Sequence, residues 1–178
     1  MAILPIYETP DEMLRQVSKP VEEVTDWHRE LIADMFETMY DAPGIGLAAV
    51  QVGHPIRMLV IDLQESEEEG GEVVKDPRVF INPEILETSD NDVPYTEGCL
   101  SVPEQYAEVM RPDRIKARWL DENGTKHEKE IEGLLAVCLQ HEMDHLEGVL
   151  FIDHLSKLKR DMVLKKLAKM RKLQRKAA

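Results

Sequence analysis

The sequence predicts an α+β fold, because helical and strand periodicities occupy separate segments of the chain. Apolar residues recur at helical spacing in three places, and each of these is expected to be a helix. Ile115, Ala117 and Trp119 alternate with charged residues before a turn at 121–124, which predicts an antiparallel hairpin. With 178 residues and no internal repeat, we expect one domain, 1–178, with a sizeable core.

The N-terminal half contributes two helices and two strands. Thr9 and Pro10 open a short helix, and Thr25 caps a longer one. The apolar stripe of the longer helix consists of Leu31, Met35, Phe36 and Met39. Residues 58–63 and 79–81 are predicted strands.

Charged residues are concentrated in two segments. Residues 64–72 contain five glutamates and two glycines, which predicts a solvated loop without chemistry. Residues 157–178 are predicted to form a basic C-terminal helix with a net charge of +9, which leaves −22 for the rest of a chain of −13. Its apolar stripe of Leu164, Leu167 and Met170 would let it dock on the body. The charge equally suits attraction to nucleic acid, which the acidic body should repel.

The sequence indicates a cytoplasmic protein without a membrane partner. Its first six residues are apolar, but they are too short and uncharged for a signal peptide. No segment approaches the length of a membrane span. The two cysteines are too few to suggest a disulfide framework.

The pentad His-Glu-Met-Asp-His at 141–145 carries the strongest chemical signal. Two histidines four residues apart lie on one face of a helix, so both imidazoles can reach one metal ion while Glu142 stays free for proton transfer. An apolar stripe leads into both histidines, and burying them without a metal would be costly. This stripe consists of Leu134, Val137 and Cys138. Asp144 lies nearer the flank and is expected to support the site rather than to bind the ion.

The source of a third ligand distinguishes the classes of metallohydrolase, since catalytic zinc and iron sites commonly use three protein ligands. Phe151 stands where the metzincin pattern requires histidine, and Asp161 is the only acid after Asp153. Few acidic residues therefore remain downstream that could serve as a third ligand of the thermolysin type. Cys138 is about 10 Å of helix away from His145, which is too far for one ion, and is expected to be a buried thiol.

Cys99 is the other thiol in the chain. Gly98 would let its backbone approach the site closely, and a thiolate with two imidazoles suits zinc or ferrous iron. Spacing alone leaves Cys99 open between a ligand and a core cysteine. A third segment, 44–53, combines glycines with an isolated amide, Gln51, and by itself would be a tight turn into a buried strand.

Together, these segments resemble the motifs of the peptide deformylase family. That family is marked by G-φ-G-φ-A-A-x-Q, E-G-C-φ-S and H-E-x-D-H, where φ is apolar, and residues 44–51, 97–101 and 141–145 match all three. The resemblance implies antiparallel β-sheets packed around a central metal-binding helix, with N-terminal helices and a C-terminal helix. It also implies removal of the formyl group from the N-terminal formylmethionine of nascent polypeptides, which releases formate.

The resemblance assigns catalytic roles. One divalent ion would be held by Cys99, His141 and His145, with ferrous iron expected in the cell and Zn²⁺, Ni²⁺ or Co²⁺ as substitutes. A metal-bound water would attack the formyl carbon while Glu142 shuttles the proton to the leaving amine. The Gln51 side chain and the Leu100 N–H would stabilise the oxyanion, and Gly46 would pair with the extended substrate.

The same correspondence predicts a pocket for the methionine side chain. Its walls would be Gly44, Ile45, Leu134, Val137 and Cys138, with His141 at the base. Gly98 would contact the peptide on the side opposite Gly46. Tyr95 at the rim replaces an aliphatic residue, and Tyr106 replaces an arginine that many relatives carry.

Two other hypotheses remain: a different H-E-x-x-H metallohydrolase, such as a peptidase, and a ribosome-associated binding protein with a structural metal. A structural zinc site normally has four protein ligands, whereas three candidates occur here. This favours a catalytic ion. The resemblance further implies that the basic helix docks on the ribosome near the tunnel exit.

Overall fold

Seven strands and three α-helices form the part of the chain that the structure, a computed structural model, describes: residues 2–177. The strands are β1 (Gly46–Ala48), β2 (Met58–Ile61), β3 (Arg78–Thr88), β4 (Asp92–Cys99), β5 (Val102–Pro112), β6 (Arg114–Leu120) and β7 (Lys126–Glu132). The helices are α1 (Asp26–Asp41), α2 (Gly133–Leu146) and α3 (Lys157–Ala177). The predicted α+β class is confirmed.

The strands form two antiparallel sheets. The larger has the order β1-β2-β3-β6-β7, and the smaller is the β4–β5 hairpin. The predicted hairpin before and after 121–124 is β6–β7, in which Ile115 pairs with Ile131 and Trp119 with His127. Strand β1 lies at the edge of the larger sheet, so its second edge has no partner strand within the sheet.

Helices cover both faces of the larger sheet around β2. Met58 and Val60 pack in the cluster that contains the apolar stripe of α1, whereas Leu59 and Ile61 pack in the cluster of α2. Successive side chains of a strand point to opposite faces, so a strand covered on both sides is apolar throughout. This explains the uninterrupted burial of Met58–Ile61 and places α2 at the centre of the fold, as predicted.

The C-terminal helix α3 packs on β5 through a third apolar cluster. Val163 and Leu167 are buried against Val109 and Phe151, with Met170 partly buried beside them. Leu164 is exposed, so its predicted place in the stripe is wrong; Val163 takes it, one residue earlier.

Element boundaries differ from the prediction in the N-terminal half. The first helical turn is a 3-10 turn at Glu12–Arg15, capped by Asp11 rather than opened at Thr9, since the Asp11 side chain accepts the Met13 N–H at 2.9 Å. Strand β3 continues to Thr88 because its second half pairs with β6 after β2 has ended. Within residues 2–177, no helix is long and apolar enough to cross a membrane.

Candidate metal centre and active site

Helix α2 presents both histidines of the pentad on one face. The ring centroids of His141 and His145 lie 5.2 Å apart, and both side chains are buried, as is that of Glu142. Four residues make about one helical turn, so the two imidazoles lie one turn apart on the same face, with their planes at 72°. The buried apolar residues Ala136 and Leu139 anchor the helix, which fixes the direction of both rings.

Cys99 reaches the histidines from the end of β4. The register of β4 and β5 shifts between Gly98 and Cys99, and such a shift redirects a side chain. The Cys99 Sγ lies 3.3 Å from the His145 Nε2. Ligand atoms of Cys99, His141 and His145 all lie within 4.8 Å of one another, the one such cluster of three or more among residues 2–177.

The three side chains fit a divalent transition metal. Glu97 Oε1 lies 2.8 Å from the Nδ1 of His141, which leaves Nε2 of that ring available. A carboxylate on the second nitrogen is the usual way to orient a metal-binding histidine. The Nδ1 of His145 is buried without a hydrogen-bond partner. One sulfur and two nitrogens form a donor set suited to zinc or ferrous iron.

Glu97 and Arg111 form a buried ion pair behind His141 that the sequence analysis missed. Arg111 donates from Nε at 2.6 Å and from Nη2 at 2.9 Å to the two oxygens of Glu97, and from Nη1 at 3.0 Å to Asp144. Burial alone would raise the pKa of Glu97, but the hydrogen bonds with His141 and Arg111 outweigh it and lower that pKa. Spacing was the signal that could have indicated Glu97, because it lies two residues before Cys99 on the same strand.

Glu142 is a buried carboxylate beside the cluster. Burial raises the pKa of Glu142 to about 7, so it can take up or release a proton near neutral pH. Its Oε2 has no hydrogen-bond partner. Gly46 leaves room for the group, because a Cβ on Gly46 would stand 2.7 Å from Glu142 Oε1. This close approach explains the glycine at the first position of β1.

Gln51 is held with its NH₂ group toward the metal cluster. Its Oε1 accepts the Ala48 N–H at 2.8 Å, so the amide nitrogen must point the other way. That nitrogen donates to Ser101 Oγ at 2.9 Å and lies 3.5 Å from Cys99 Sγ. An amide carries two N–H groups, so one donates to Ser101 and the other is directed at the Cys99 Sγ. Ser101 was a further residue whose contribution the sequence analysis missed.

A cavity of about 790 Å³ opens next to the cluster. Its wall includes these predicted substrate-contacting, catalytic and metal-binding residues: Gly44, Ile45, Gly46, Tyr95, Gly98, Cys99, Leu100, Leu134, Val137, Cys138, His141 and Glu142. Gln51 and His145, which are 1% and 0% exposed, do not line it. Tyr106 also lies on the wall, next to Gly98.

These features fit a metal-dependent hydrolase of the H-E-x-x-H type in which a cysteine side chain is clustered with the two histidines. The family model described as polypeptide deformylase matches residues 3–161, and the chain belongs to that family of enzymes.

Named relatives match along nearly the whole chain. A peptide deformylase of Rhizorhabdus wittichii is 68% identical over 178 residues, which is 100% of each chain. One of Zymomonas mobilis is 64% identical over 173 residues, 97% of each chain. The crystal structure of peptide deformylase from Ehrlichia chaffeensis in complex with actinonin has a TM-score of 0.87 at 45% identity, covering 96% of this chain and 98% of that chain. The structure from Legionella pneumophila also has a TM-score of 0.87, at 46% identity over 97% and 98%.

Proposed function

We propose that this enzyme removes the formyl group from the N-terminal formylmethionine of nascent polypeptides and releases formate. The observation that carries the proposal is the cluster of Cys99, His141 and His145 ligand atoms within 4.8 Å of one another, beside the buried carboxylate of Glu142. Membership of the family supports the choice of a formamide over other amides.

Cys99, His141 and His145 would hold one divalent ion. When bound, the ion would supply a Lewis acid that lowers the pKa of water at its open coordination position. The sulfur and nitrogen donors suit ferrous iron or zinc, and we propose Fe²⁺ in the cell with Zn²⁺, Ni²⁺ or Co²⁺ as substitutes. Metal analysis of anaerobically purified protein tests this choice; an empty or magnesium-loaded protein would contradict it.

Glu142 is proposed to move the proton. A carboxylate with a pKa of about 7 can accept the proton of the attacking water and then deliver it to the amine nitrogen as the C–N bond breaks. The side chain is buried and its Oε2 has no competing hydrogen bond, so both transfers can use the same oxygen.

Gln51 and Leu100 are proposed to stabilise the negative charge that develops on the formyl oxygen. The amide of Gln51 is already oriented by its bonds to Ala48 and Ser101, and its second N–H, which is directed at the Cys99 Sγ, would be shared with the formyl oxygen. The Leu100 N–H would supply the second donor, directly after the ligand Cys99.

The substrate is proposed to bind as an added strand. The open edge of β1 at Gly46 would pair with the peptide backbone, and Gly98 would contact the substrate from the β4–β5 side. The methionine side chain would enter the apolar part of the cavity. Ile45 and Leu134 on its wall are both 39% exposed, and a bound methionine would cover them. Tyr95, Val137, Cys138 and Gly44 would complete the contact surface.

The chain is further proposed to act as a single domain, 1–178, in the cytoplasm, with α3 docked on the ribosome near the tunnel exit. Helix α3 buries Val163 and Leu167 on the body, while its basic residues remain available to an acidic surface such as RNA. Co-sedimentation with ribosomes at low and moderate salt, compared between the wild type and Lys165→Glu/Lys169→Glu, tests the docking. Equal binding by both proteins would contradict it.

The decisive experiment measures formate release from a formyl-Met-Ala-Ser peptide by anaerobically purified protein. An acetyl-Met-Ala-Ser peptide is the matched substrate control, because only the acyl group differs. We expect formate from the first and little acetate from the second. Cleavage of ordinary peptide bonds without formate would instead support the alternative of an H-E-x-x-H peptidase.

A further inference from the structure

The cavity wall at Gly44–Gly46 is anchored from outside the active site. The Gly44 N–H donates to the Met39 carbonyl at 2.8 Å, and the Asp62 N–H donates to the Ile45 carbonyl at 2.9 Å. In addition, the Gln64 side-chain Nε2 donates to the Gly44 carbonyl at 3.0 Å. Three bonds therefore fix the backbone that precedes the open edge of β1, and one of them comes from a side chain.

Gln64 is itself positioned by Asp62, a buried carboxylate just after β2. The Oδ1 of Asp62 accepts the backbone N–H groups of Gln64 at 3.0 Å and Asp76 at 3.1 Å, while its Oδ2 accepts the Tyr40 hydroxyl. Asp62 is 0% exposed, so each of these bonds replaces one that water would have made. Burial and the bond to Asp62 raise the pKa of Tyr40, which keeps its hydroxyl protonated as a donor.

The backbone of Gln64 adopts a conformation that needs such support. Its φ of +52° lies in the left-handed region, which costs free energy for a residue other than glycine. The bond from its N–H to Asp62 stabilises this conformation, and the conformation turns the side chain back toward Gly44. Lys75, at the far end of the same loop, lies 4.2 Å from the centre of the Tyr40 ring. The segment between β2 and β3 is thus bonded to the wall at its start, through Gln64, and packed on Tyr40 near its end, through Lys75.

We infer that Gln64, held by Asp62 and Tyr40, is a positioning residue for the peptide-binding edge of this enzyme. The inference rests on the proposed binding of substrate as an added strand along β1. Gln64 acts through the Gly44 carbonyl and not on the reacting atoms, so it should determine how well an extended peptide binds rather than how fast the bond breaks. The glutamate-rich loop, predicted to have no chemistry, therefore begins with a residue that serves the reaction.

The test compares two substrates in Gln64→Ala. Formyl-Met-Ala-Ser can pair along the edge, whereas N-formylmethionine amide offers little backbone beyond the methionine. We expect KM for the peptide to rise about fivefold, equivalent to about 1 kcal/mol, because one neutral hydrogen bond is lost. We expect kcat to change less than twofold and KM for the amide to change little. Glu65→Ala, with an exposed side chain in the same loop, is the matched control and should behave as the wild type.

If Gln64 had a purely structural role, Gln64→Ala would change KM for both substrates alike or would lower only the unfolding temperature. An unchanged peptide KM in folded Gln64→Ala, or equal losses for both substrates, would overturn the inference. If Gln64→Ala fails to fold, Tyr40→Phe is the second test of the inference, because it keeps the aromatic ring. It should raise KM for the peptide and not for the amide, by a smaller factor than Gln64→Ala. A wild type that releases no formate from either substrate would overturn the proposed function together with this inference.

Discussion

Two walls of the cavity are held in place by different interactions. The sheet wall is the edge of the five-stranded sheet at Gly44–Gly46, and the hairpin wall is the β4–β5 hairpin at 95–99. The sheet wall is fixed by neutral donors and backbone groups, through Gln64 and Gly44. The hairpin wall is fixed by the buried Glu97–Arg111 ion pair, which also reaches His141 and Asp144 of α2.

This difference separates the two tasks of the site. The ion pair joins the strand that supplies Cys99 to the helix that supplies both histidines, so it aligns the candidate ligands with one another. The neutral bonds orient a backbone that would bind peptide. A change in the first network should therefore affect metal and stability, and a change in the second should affect peptide binding.

The largest expected effect comes from Glu142→Gln. The amide keeps the shape of the side chain but cannot accept the proton, so we expect kcat to fall about a hundred-fold to ten-thousand-fold. Metal content should stay near the wild-type value, because the glutamate is not one of the three clustered ligand atoms. Formate release and metal analysis on the same preparation measure both quantities.

Cys99→Ala provides the contrast for that variant, since it removes the proposed sulfur ligand. We expect the metal to be lost on dialysis and activity to be lost with it, while the chain stays folded around its three apolar clusters. Retained metal with retained activity in Cys99→Ala would show that the ligand assignment is wrong.

Next in size is Arg111→Met, which leaves Glu97 buried without its cation. Breaking a buried pair in this way costs about 3–5 kcal/mol of unfolding free energy. Arg118→Met is the matched control, because the Arg118–Glu84 pair is more than half exposed on both sides and should contribute under about 1 kcal/mol. Urea unfolding of both variants measures the difference; similar losses would contradict a special role for the buried pair.

Gly46→Ala tests the contact between the sheet wall and the carboxylate. The new Cβ would meet Glu142 at 2.7 Å and must displace it, so we expect kcat to fall about ten-fold or more. In Gly44→Ala the corresponding clash is with the side chain of Leu100, so KM should change more than kcat. The opposite pattern in steady-state kinetics would mean that Gly46 does not position Glu142.

Tyr40→Phe is expected to cost less stability than Arg111→Met. It removes one hydroxyl donor from the buried carboxylate of Asp62 and should cost about 1.5–3 kcal/mol, because the acceptor is a charged group. Unfolding by urea under the same conditions gives the comparison. A loss as large as that of the ion pair would show that the two walls do not differ in the way described.

The sequence predicted the parts of the site that follow local spacing. Two histidines one helical turn apart, and a hairpin around 121–124, depend on periodicities within single segments. Contacts between segments were less accessible: Arg111 is 14 residues from Glu97, on the neighbouring strand, and nothing local to Arg111 marks it. Cys99 was assigned to the site by the family resemblance, because spacing alone left it open between a ligand and a core cysteine.

The glutamate-rich loop shows why composition misleads about single residues. Most of its side chains are exposed, as its charge predicts, yet Gln64 at its start is half-buried and bonded to Gly44. Its left-handed backbone depends on Asp62, and a propensity-based prediction does not place glutamine there. The choice of Val163 over Leu164 on α3 likewise depends on how the helix is rotated against β5, which tertiary packing decides.

Strand β1 leaves one edge open over only three residues, Gly46–Ala48. A long open edge invites other chains to pair with it and is a common origin of aggregation. Three residues offer too few backbone groups to capture a second copy of the protein stably, but they would suffice for the first residues of the proposed peptide substrate, which its methionine side chain would also hold. The brevity of this strand should therefore protect the protein in concentrated solution, and, with the proposed binding mode, it would limit how far along a substrate the enzyme can recognise sequence.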